Sequence, residues 1–337
     1  MSVQQDPGAH LPDFLQRDEG PVWGDQALRS GAALFEKLGL LPAFHRQTPA
    51  AARAKMWPWR GPIGRAVHGP NAKVPVEDLR LDGPGGPLPI RRYIGGENGL
   101  LLWLHGGGYV AGDLRSHDRV CRQIAQQGGV VVVAVEYRLA PEHPHPAALE
   151  DAVCALKACA ARAAGWGTPG PLRVGGDSAG ANLTVALLQR CREVDVAEMI
   201  LAYPAADTAR AGASVREFGA GPLLHQADVA WFEAQAAPQG GLELVGFDLL
   251  GADAAGRSGG SLADLPPATL LVCGRDLLRD EGIALGQRLR ERGGAVRGWL
   301  YPEAVHGVLQ TFGISGAGAR MIGRIASIAS GGRAGPR

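Results

Sequence analysis

The residues with the clearest chemical potential lie in two glycine-rich stretches, each of which follows an apolar run. One of them, "LRVGGDSAGANL", places Ser178 between two glycines, after a predicted strand and before a predicted helix. Small neighbours let the backbone turn sharply there, and the turn lifts the serine hydroxyl above the sheet. The start of the following helix stabilises negative charge. The pattern predicts a nucleophile at Ser178; the alternative is a glycine-rich turn with an incidental serine.

The other stretch, "LLLWLHGGGYVAGD", has three glycines directly after His105. Glycine has no Cβ atom, so backbone N–H groups in such a loop can point into a cavity. The N–H groups of Gly106, Gly107 and Gly108, together with that of Ala179, are therefore candidate donors of an oxyanion hole. The alternative is a phosphate-binding loop, but the spacing is not Gly-x-Gly-x-x-Gly and no Gly-Lys-Ser/Thr follows.

A hydroxyl nucleophile needs a base and an acid that orients the base. His306 follows the last predicted strand, and Asp276 lies two residues beyond a buried one. Asp280 and Glu281 lie about a turn further along; position favours Asp276, whereas Asp280 better fits a helix start. A single histidine is more often structural, but His306 completes the chain order serine, aspartate, histidine that such hydrolases use.

The elements that must position these residues alternate between strands and helices. Strands are predicted at 76–81, 88–94, 99–104, 130–137, 171–176, 198–204, 267–274 and 295–301. Helices are predicted at 23–41, 116–127, 147–163, 179–192 and 279–292, with a last one after His306. The first two strands resemble a hairpin. The remainder predicts an α/β fold whose mostly parallel sheet has helices on both faces.

Five segments taken together resemble a known family. "HGGGYVAGD", "VEYRLAPEHPHPAAL", "GGDSAGANL", "GRDLLRDEG" and the late "VHG" occur in this order from about 76 to 306. They are similar to the hormone-sensitive-lipase-like esterases, the bacterial family IV carboxylesterases of the α/β-hydrolase fold. The resemblance implies Ser178 as nucleophile, His306 as base and Asp276 as acid. It also implies an oxyanion hole from the His-Gly-Gly-Gly loop and Ala179, with no metal and no cofactor.

The resemblance also implies a helical cap built from two irregular regions. The expected organisation is a first part of the cap at 1–60, a core at 61–205, a second part of the cap at 206–265, a core at 266–328 and a disordered tail at 329–337. The stretch at 56–75, rich in proline and glycine, is interpreted as a loop. Apolar cap residues could line an acyl pocket or simply anchor the cap: Trp57, Trp59, Phe218, Leu223, Leu224, Trp231 and Phe232.

The sequence departs from the family pattern at three points. Val308 stands where the family often has phenylalanine after the His-Gly pair, His145 also replaces a phenylalanine, and Leu277 replaces a proline. These changes bear on the shape of the pocket more than on the mechanism. Four residues of a further family motif are interpreted as structural supports of the loop beneath the site: Tyr137, Arg138, Pro141 and Glu142.

Composition excludes several other classes of protein. The 337 residues are 46% hydrophobic and 20% charged, with a net charge of +1, so no basic field exists to bind nucleic acid. Five cysteines without a Cys-x-x-Cys pair predict free, mostly buried thiols in a reducing compartment. The N-terminus does not resemble a signal peptide, and no apolar run approaches a membrane span. A cytoplasmic protein is expected.

These observations predict a serine carboxylesterase that acts on short- to medium-chain acyl esters through an acyl-enzyme. Its partner would be a small-molecule ester, and the family resemblance suggests a monomer or a homodimer. Two alternatives stay open at this point. One is a ligand-binding protein on a hydrolase scaffold that has lost catalysis. The other is an amidase, thioesterase or acyltransferase with the same three residues.

Overall fold

The centre of the molecule is a twisted β-sheet. The computed structural model describes residues 11–39, 41, 43–56, 61–166, 168, 170–239, 248–254 and 261–332. Its strands in this part are β1 (Leu15–Arg17), β2 (Val76–Gly83), β3 (Gly86–Ile94), β4 (Leu100–Leu104), β5 (Val131–Val135), β6 (Leu172–Asp177), β7 (Glu198–Ala202), β8 (Ala268–Arg275) and β9 (Val296–Val305).

The strand order across the sheet is β1-β9-β8-β7-β6-β4-β5-β3-β2. Strand β3 runs antiparallel to both of its neighbours, β2 and β5, and every other pairing is parallel. All residues of β4 and β5 are buried, as expected for strands covered on both faces. The predicted mostly parallel sheet is therefore confirmed, and so is the predicted hairpin.

Helices cover both faces of this sheet. They are α1 (Asp25–Lys37), α2 (Pro49–Met56), α3 (Gly61–His68), α4 (Asp118–Gly128), α5 (Ala147–Arg162), α6 (Ala179–Arg190), α7 (Ala213–Phe218), α8 (Gln226–Ala236), α9 (Leu249–Ala254), α10 (Arg279–Glu291) and α11 (Gly316–Ala329). None of the helices in the described ranges is long and apolar enough to cross a membrane.

The core is divided into two layers by the sheet. Leu102 of β4 belongs to the buried cluster that includes residues of α5, α6 and α10, whereas the adjacent Trp103 belongs to the cluster that includes residues of α4 and α11. Successive side chains of a strand point to opposite faces, so a continuous apolar run such as β4 serves both layers. This double burial holds the carboxyl ends of the strands, where Ser178, Asp276 and His306 follow, in fixed positions.

Two elements differ from the predictions. Strand β1 lies within 1–60, the region predicted to be cap, yet it extends the core sheet by pairing with β9, with Leu15 beside Gly298. Helix α3 lies within 56–75, the stretch predicted to be a loop. Gly61 and Pro62 stand at its start, where both are tolerated, so they begin the helix and do not break it.

The C-terminal end also differs in part. Ala329, the first residue of the tail predicted to be disordered, is the last residue of helix α11 and is buried. The final residues, 333–337, lie outside the described part of the chain.

A buried carboxylate joins the first helix to the last. Asp25, at the start of α1, is 1% exposed and contacts the hydroxyl of Ser315 and, at 3.2 Å, the N–H of Ala317. The N–H of Gly316 donates to the carbonyl oxygen of Trp23 at 3.0 Å. These bonds satisfy the start of α11 and hold α1 beside the core.

Replacing Asp25 with alanine should lower the free energy of unfolding by about 2 kcal/mol, because it leaves a buried hydroxyl and a buried N–H without an acceptor. Urea denaturation of the purified variant measures this loss. The matched control is Gln26→Ala on the exposed side of the same turn, for which a change within about 0.5 kcal/mol is expected. Equal losses in both variants would show that the carboxylate contributes nothing specific.

Candidate active site

Ser178 lies on the sharp turn between β6 and α6. Its backbone is left-handed, with φ of 55° and ψ of −120°, which is strained for a residue with a side chain. Glycines on either side permit this turn: a Cβ atom at Gly176 would overlap the backbone of Gly180, and one at Gly180 would overlap the carbonyl of Leu104. The close packing around the turn therefore requires glycine at both positions and presents the serine hydroxyl to the cavity.

His306 and Asp276 meet Ser178 although they are distant in sequence. His306 Nε2 lies 2.8 Å from Ser178 Oγ, and His306 Nδ1 lies 2.7 Å from Asp276 Oδ2. The other Asp276 oxygen accepts the N–H of Leu278 at 2.9 Å, and the residue is 2% exposed. Because a carboxylate only accepts, the Nδ1 atom donates to it and Nε2 is left to accept the serine proton.

The other two acidic candidates have other hydrogen-bond partners. Asp280 accepts the N–H of Ser214 at 2.8 Å and pairs with Arg279 at 2.8 Å. Glu281 accepts the N–H of Ala206 at 2.8 Å. Of the three carboxylates considered from sequence, the structure places Asp276 beside the imidazole.

The glycine loop supplies backbone donors to the same cavity. Gly107 and Gly108 have φ values of 126° and 61°, and both line the cavity together with Ala179. No acceptor among the described residues engages the N–H groups of these three residues. The ring of Phe232 packs on Gly108 so closely that a Cβ atom there would overlap it.

Gly106 does not share this arrangement, and its prediction as an oxyanion donor needs correction. Its N–H donates to Asp177 Oδ1 at 3.1 Å, so it is already engaged. A Cβ atom at Gly106 would come within 2.6 Å of the Asp177 carboxylate. The glycine is needed here for a close approach between the loop and the serine turn. The sequence pattern did not reveal this, because it does not show where the Asp177 side chain points.

Asp177 is the centre of a buried polar cluster that sequence reasoning missed. Its carboxylate also accepts from His117 Nε2 at 3.2 Å and from the Tyr203 hydroxyl at 3.4 Å. Burial alone would raise the pKa of Asp177, but His117 and the Gly106 N–H outweigh it and hold the pKa below its ordinary value. The sequence did contain one indication of this cluster. An aspartate inside a buried turn requires hydrogen-bond donors or a positive charge nearby.

The motif interpreted as structural contacts the same loop from below. The Tyr137 hydroxyl donates to the carbonyl of His105 at 2.6 Å, and their rings stack at 4.1 Å. Burial lowers the pKa of His105 to about 4, so the ring is neutral. Arg138 pairs with Asp151 at 3.0 Å. Glu142 pairs with Arg53, and Pro141 follows a cis peptide bond.

The cavity above Ser178 has a volume of about 1080 Å³. Of the apolar residues proposed from sequence, Leu223, Leu224 and Phe232 line it. Trp231 instead packs against the ring of Phe232, with centroids 5.1 Å apart, and Phe218 lies beside the guanidinium of Arg279. Trp57 and Trp59 lie outside the described residues. The structure adds apolar residues that the sequence analysis did not single out for the pocket: Leu28, Phe35, Phe44, Met56, Val67, Leu278 and Ile314.

Within the described ranges, no group of three or more histidine, cysteine, aspartate or glutamate residues is arranged to hold a metal ion. The five cysteines are free; Cys154 is partly exposed and the other four are buried. The predicted free, mostly buried thiols are therefore confirmed.

Replacing Asp177 with asparagine should lower the free energy of unfolding at pH 7 by about 2 kcal/mol. The NH₂ group of the asparagine would face groups that donate to the carboxylate in the wild type. The pKa of Asp177 is lower in the folded state than in the unfolded chain. Its ionised form therefore stabilises the protein above about pH 4, and this contribution is lost as the pH falls through the folded pKa. Urea denaturation at pH 7 and at pH 3 measures the free energy of unfolding of the variant and of the wild type. The difference between the two proteins should be smaller at pH 3 than at pH 7. The exposed Asp195→Asn serves as control, and an equal difference at both pH values would contradict the expectation.

Comparisons with known proteins identify the family of this chain. A family model described as the α/β-hydrolase fold matches residues 101–310. The chain is 38% identical over 272 residues to the carboxylic ester hydrolase LipN of Mycobacterium tuberculosis, covering 76% of this chain and 70% of the relative. It is 35% identical to the ethyl acetate hydrolase of Pseudomonas putida, covering 68% of this chain and 74% of that protein.

Solved structures show the same architecture. An ester hydrolase from the metagenome of Lake Arreo superposes with a TM-score of 0.79 at 30% identity, covering 91% of this chain and 98% of the other. A hyperthermophilic esterase from Pyrobaculum calidifontis gives a TM-score of 0.75 at 30% identity, and the match covers 90% of this chain and 97% of the esterase. The chain therefore belongs to the α/β-hydrolase fold family, in the hormone-sensitive-lipase-like branch that its motifs predicted.

Proposed function

We propose that this protein hydrolyses carboxylic esters, with Ser178 as the nucleophile of an acyl-enzyme mechanism. The observation that carries this proposal is the hydrogen-bonded chain from Ser178 through His306 to Asp276, with distances of 2.8 Å and 2.7 Å. The names of the relatives, which include an ethyl acetate hydrolase and a carboxylic ester hydrolase, support the same reaction.

The first half of the reaction forms the acyl-enzyme. His306 Nε2 takes the proton of Ser178 as its Oγ attacks the ester carbonyl carbon, and Asp276 stabilises the imidazolium that results. The carbonyl oxygen becomes an oxyanion that the N–H groups of Gly107, Gly108 and Ala179 receive. A donor of this kind lowers the barrier by roughly 3 kcal/mol.

The second half releases both products. His306 gives its proton to the oxygen of the leaving alcohol as the carbon–oxygen bond breaks, and Ser178 keeps the acyl group. A water molecule then attacks the acyl carbon while His306 takes one of its protons. When the second tetrahedral intermediate collapses, His306 returns a proton to Ser178, and the carboxylic acid leaves.

The cavity supports small esters with apolar groups as substrates. Its volume of about 1080 Å³ is at the upper end for small-molecule sites. Helices from both predicted parts of the cap line it, α1 and α2 from the first part and α8 from the second. We infer a two-part cap that favours soluble esters of short to medium acyl chains over an oil interface. The free thiols fit a cytoplasmic location.

Replacing Ser178 with alanine should reduce the kcat for a para-nitrophenyl butanoate ester by at least about 1000-fold, because the nucleophile is lost. A fluorophosphonate should add its mass to Ser178 in the wild type and not in the variant. Ser116→Ala is the matched control, since Ser116 also contacts a histidine, His117, at 2.9 Å, and this variant should still be labelled. Full turnover in Ser178→Ala would exclude Ser178 as the nucleophile.

The two aspartates that the sequence left open can be separated by a matched pair. Asp276→Asn should lower kcat by about four orders of magnitude, because the amide stabilises the wrong tautomer of His306. Asp280→Asn should change kcat by less than about tenfold, since Asp280 contacts Ser214 and Arg279 instead. Steady-state kinetics on the same ester measures both, and a larger loss in Asp280→Asn would contradict the assignment.

A further inference from the structure

The cavity contains a carboxyl group that the mechanism does not use. Glu281 lies on α10, five residues after Asp276, and is 8% exposed. It lines the same cavity as Ser178 and His306. A carboxyl in such a place is costly unless it is paired or has a ligand.

The contacts of Glu281 involve one of its two oxygens. Oε1 accepts the N–H of Ala206 at 2.8 Å and that of Asp207 at 3.4 Å. Across the described part of the chain, no cationic side chain forms an ion pair with Glu281 and no donor reaches Oε2. Oε2 is also not one of the fully buried side-chain atoms that lack a partner, so it retains accessible surface, and Glu281 is one of the residues that line the cavity.

The charge state of this carboxyl restricts what it can bind. Burial raises the pKa of Glu281 to about 8, against the lowering effect of the two N–H groups, and the carboxylates of Asp207 and Asp276 add to the increase. At pH 7 the group is mainly neutral, so Oε2 can carry a proton and can both donate and accept. A hydroxyl has the same two capacities, whereas the neighbouring carboxylates would repel an anionic ligand.

We propose that Glu281 is a specificity-determining residue whose Oε2 atom hydrogen-bonds a hydroxyl group of the substrate, away from the scissile bond. The preferred substrates are then hydroxylated esters, whose apolar parts contact the remaining lining. This inference rests on the ester hydrolysis proposed above. The alternative is that Glu281 only anchors the backbone at Ala206 and Asp207.

The first experiment uses the wild-type protein and matched pairs of esters. The acyl side is tested with para-nitrophenyl butanoate against its β-hydroxy derivative, and para-nitrophenyl hexanoate against its ω-hydroxy derivative. The alcohol side is tested with propyl butanoate against its ω-hydroxypropyl analogue. In at least one pair, kcat/KM of the hydroxylated ester should exceed that of the plain ester by about threefold to tenfold, the value of one hydrogen bond. Equal kcat/KM values for the plain and the hydroxylated ester in every pair would overturn the proposal.

The second experiment measures the same ratio in two variants. Glu281→Met keeps the length of the side chain and removes both oxygens, so the preference should be lost. Glu281→Gln keeps an acceptor for Ala206 and places an amide where Oε2 was, so the preference should persist within about twofold. Because each ratio is taken within one protein, an inactive fraction cancels. A preference that survives in Glu281→Met, or a loss of rate shared equally by plain and hydroxylated esters, assigns Glu281 to anchoring alone.

Failure of this inference is distinguishable from failure of the proposed function. If plain esters are hydrolysed and hydrolysis requires Ser178, the enzyme assignment stands whatever the ratios are. If Ser178→Ala retains the hydrolysis of plain esters, the proposed mechanism fails first.

Discussion

The carboxylate of Asp177 is the group on which the geometry of the site depends. It lies one residue before Ser178 and accepts the N–H of Gly106, so one buried charge links the serine turn to the glycine loop. A charge out of water is unfavourable unless several donors surround it. His117 and Tyr203 complete that set. The separation between the Ser178 hydroxyl and the glycine loop therefore follows from the need to satisfy a single carboxylate.

The same constraint explains why a strained residue is tolerated at the centre of the site. A serine with a left-handed backbone conformation persists only where the surrounding contacts hold the backbone in place. Here Gly176 and Gly180 bring the start of α6 against the end of β4, and Asp177 holds the turn from the other side. Asp276 and His306 reach Ser178 because parallel strands end at one edge of the sheet, which is where such folds place their ligands. The hydrogen-bonded arrangement of Ser178, His306 and Asp276 is thus a consequence of the strand order in the sheet.

The sequence was most informative where one local rule decides the structure. The buried strands and the residues that follow them could be predicted, because apolar runs and glycine-rich turns carry their own signals. Strand β1 could not, since its three residues take their conformation from the edge of β9. The role of Gly106 was assigned wrongly for the same reason: a backbone N–H in a glycine loop looks like an oxyanion donor until the position of Asp177 is known. Partners from distant parts of the chain decide both features.

The cavity shows how two core helices hold the residues that follow strand β7. Glu281 belongs to helix α10, and its Oε1 atom accepts the N–H groups of Ala206 and Asp207, where the chain has left the sheet after β7. The side-chain NH₂ group of Asn182, on α6, donates to the carbonyl oxygen of the preceding residue, Ala205, at 3.0 Å. The wall of the cavity beside Ser178 is therefore fixed by two polar side chains of the core. A ligand that engages the second oxygen of Glu281 would act on the same side chain, so substrate recognition and the position of this wall are coupled through one carboxyl group.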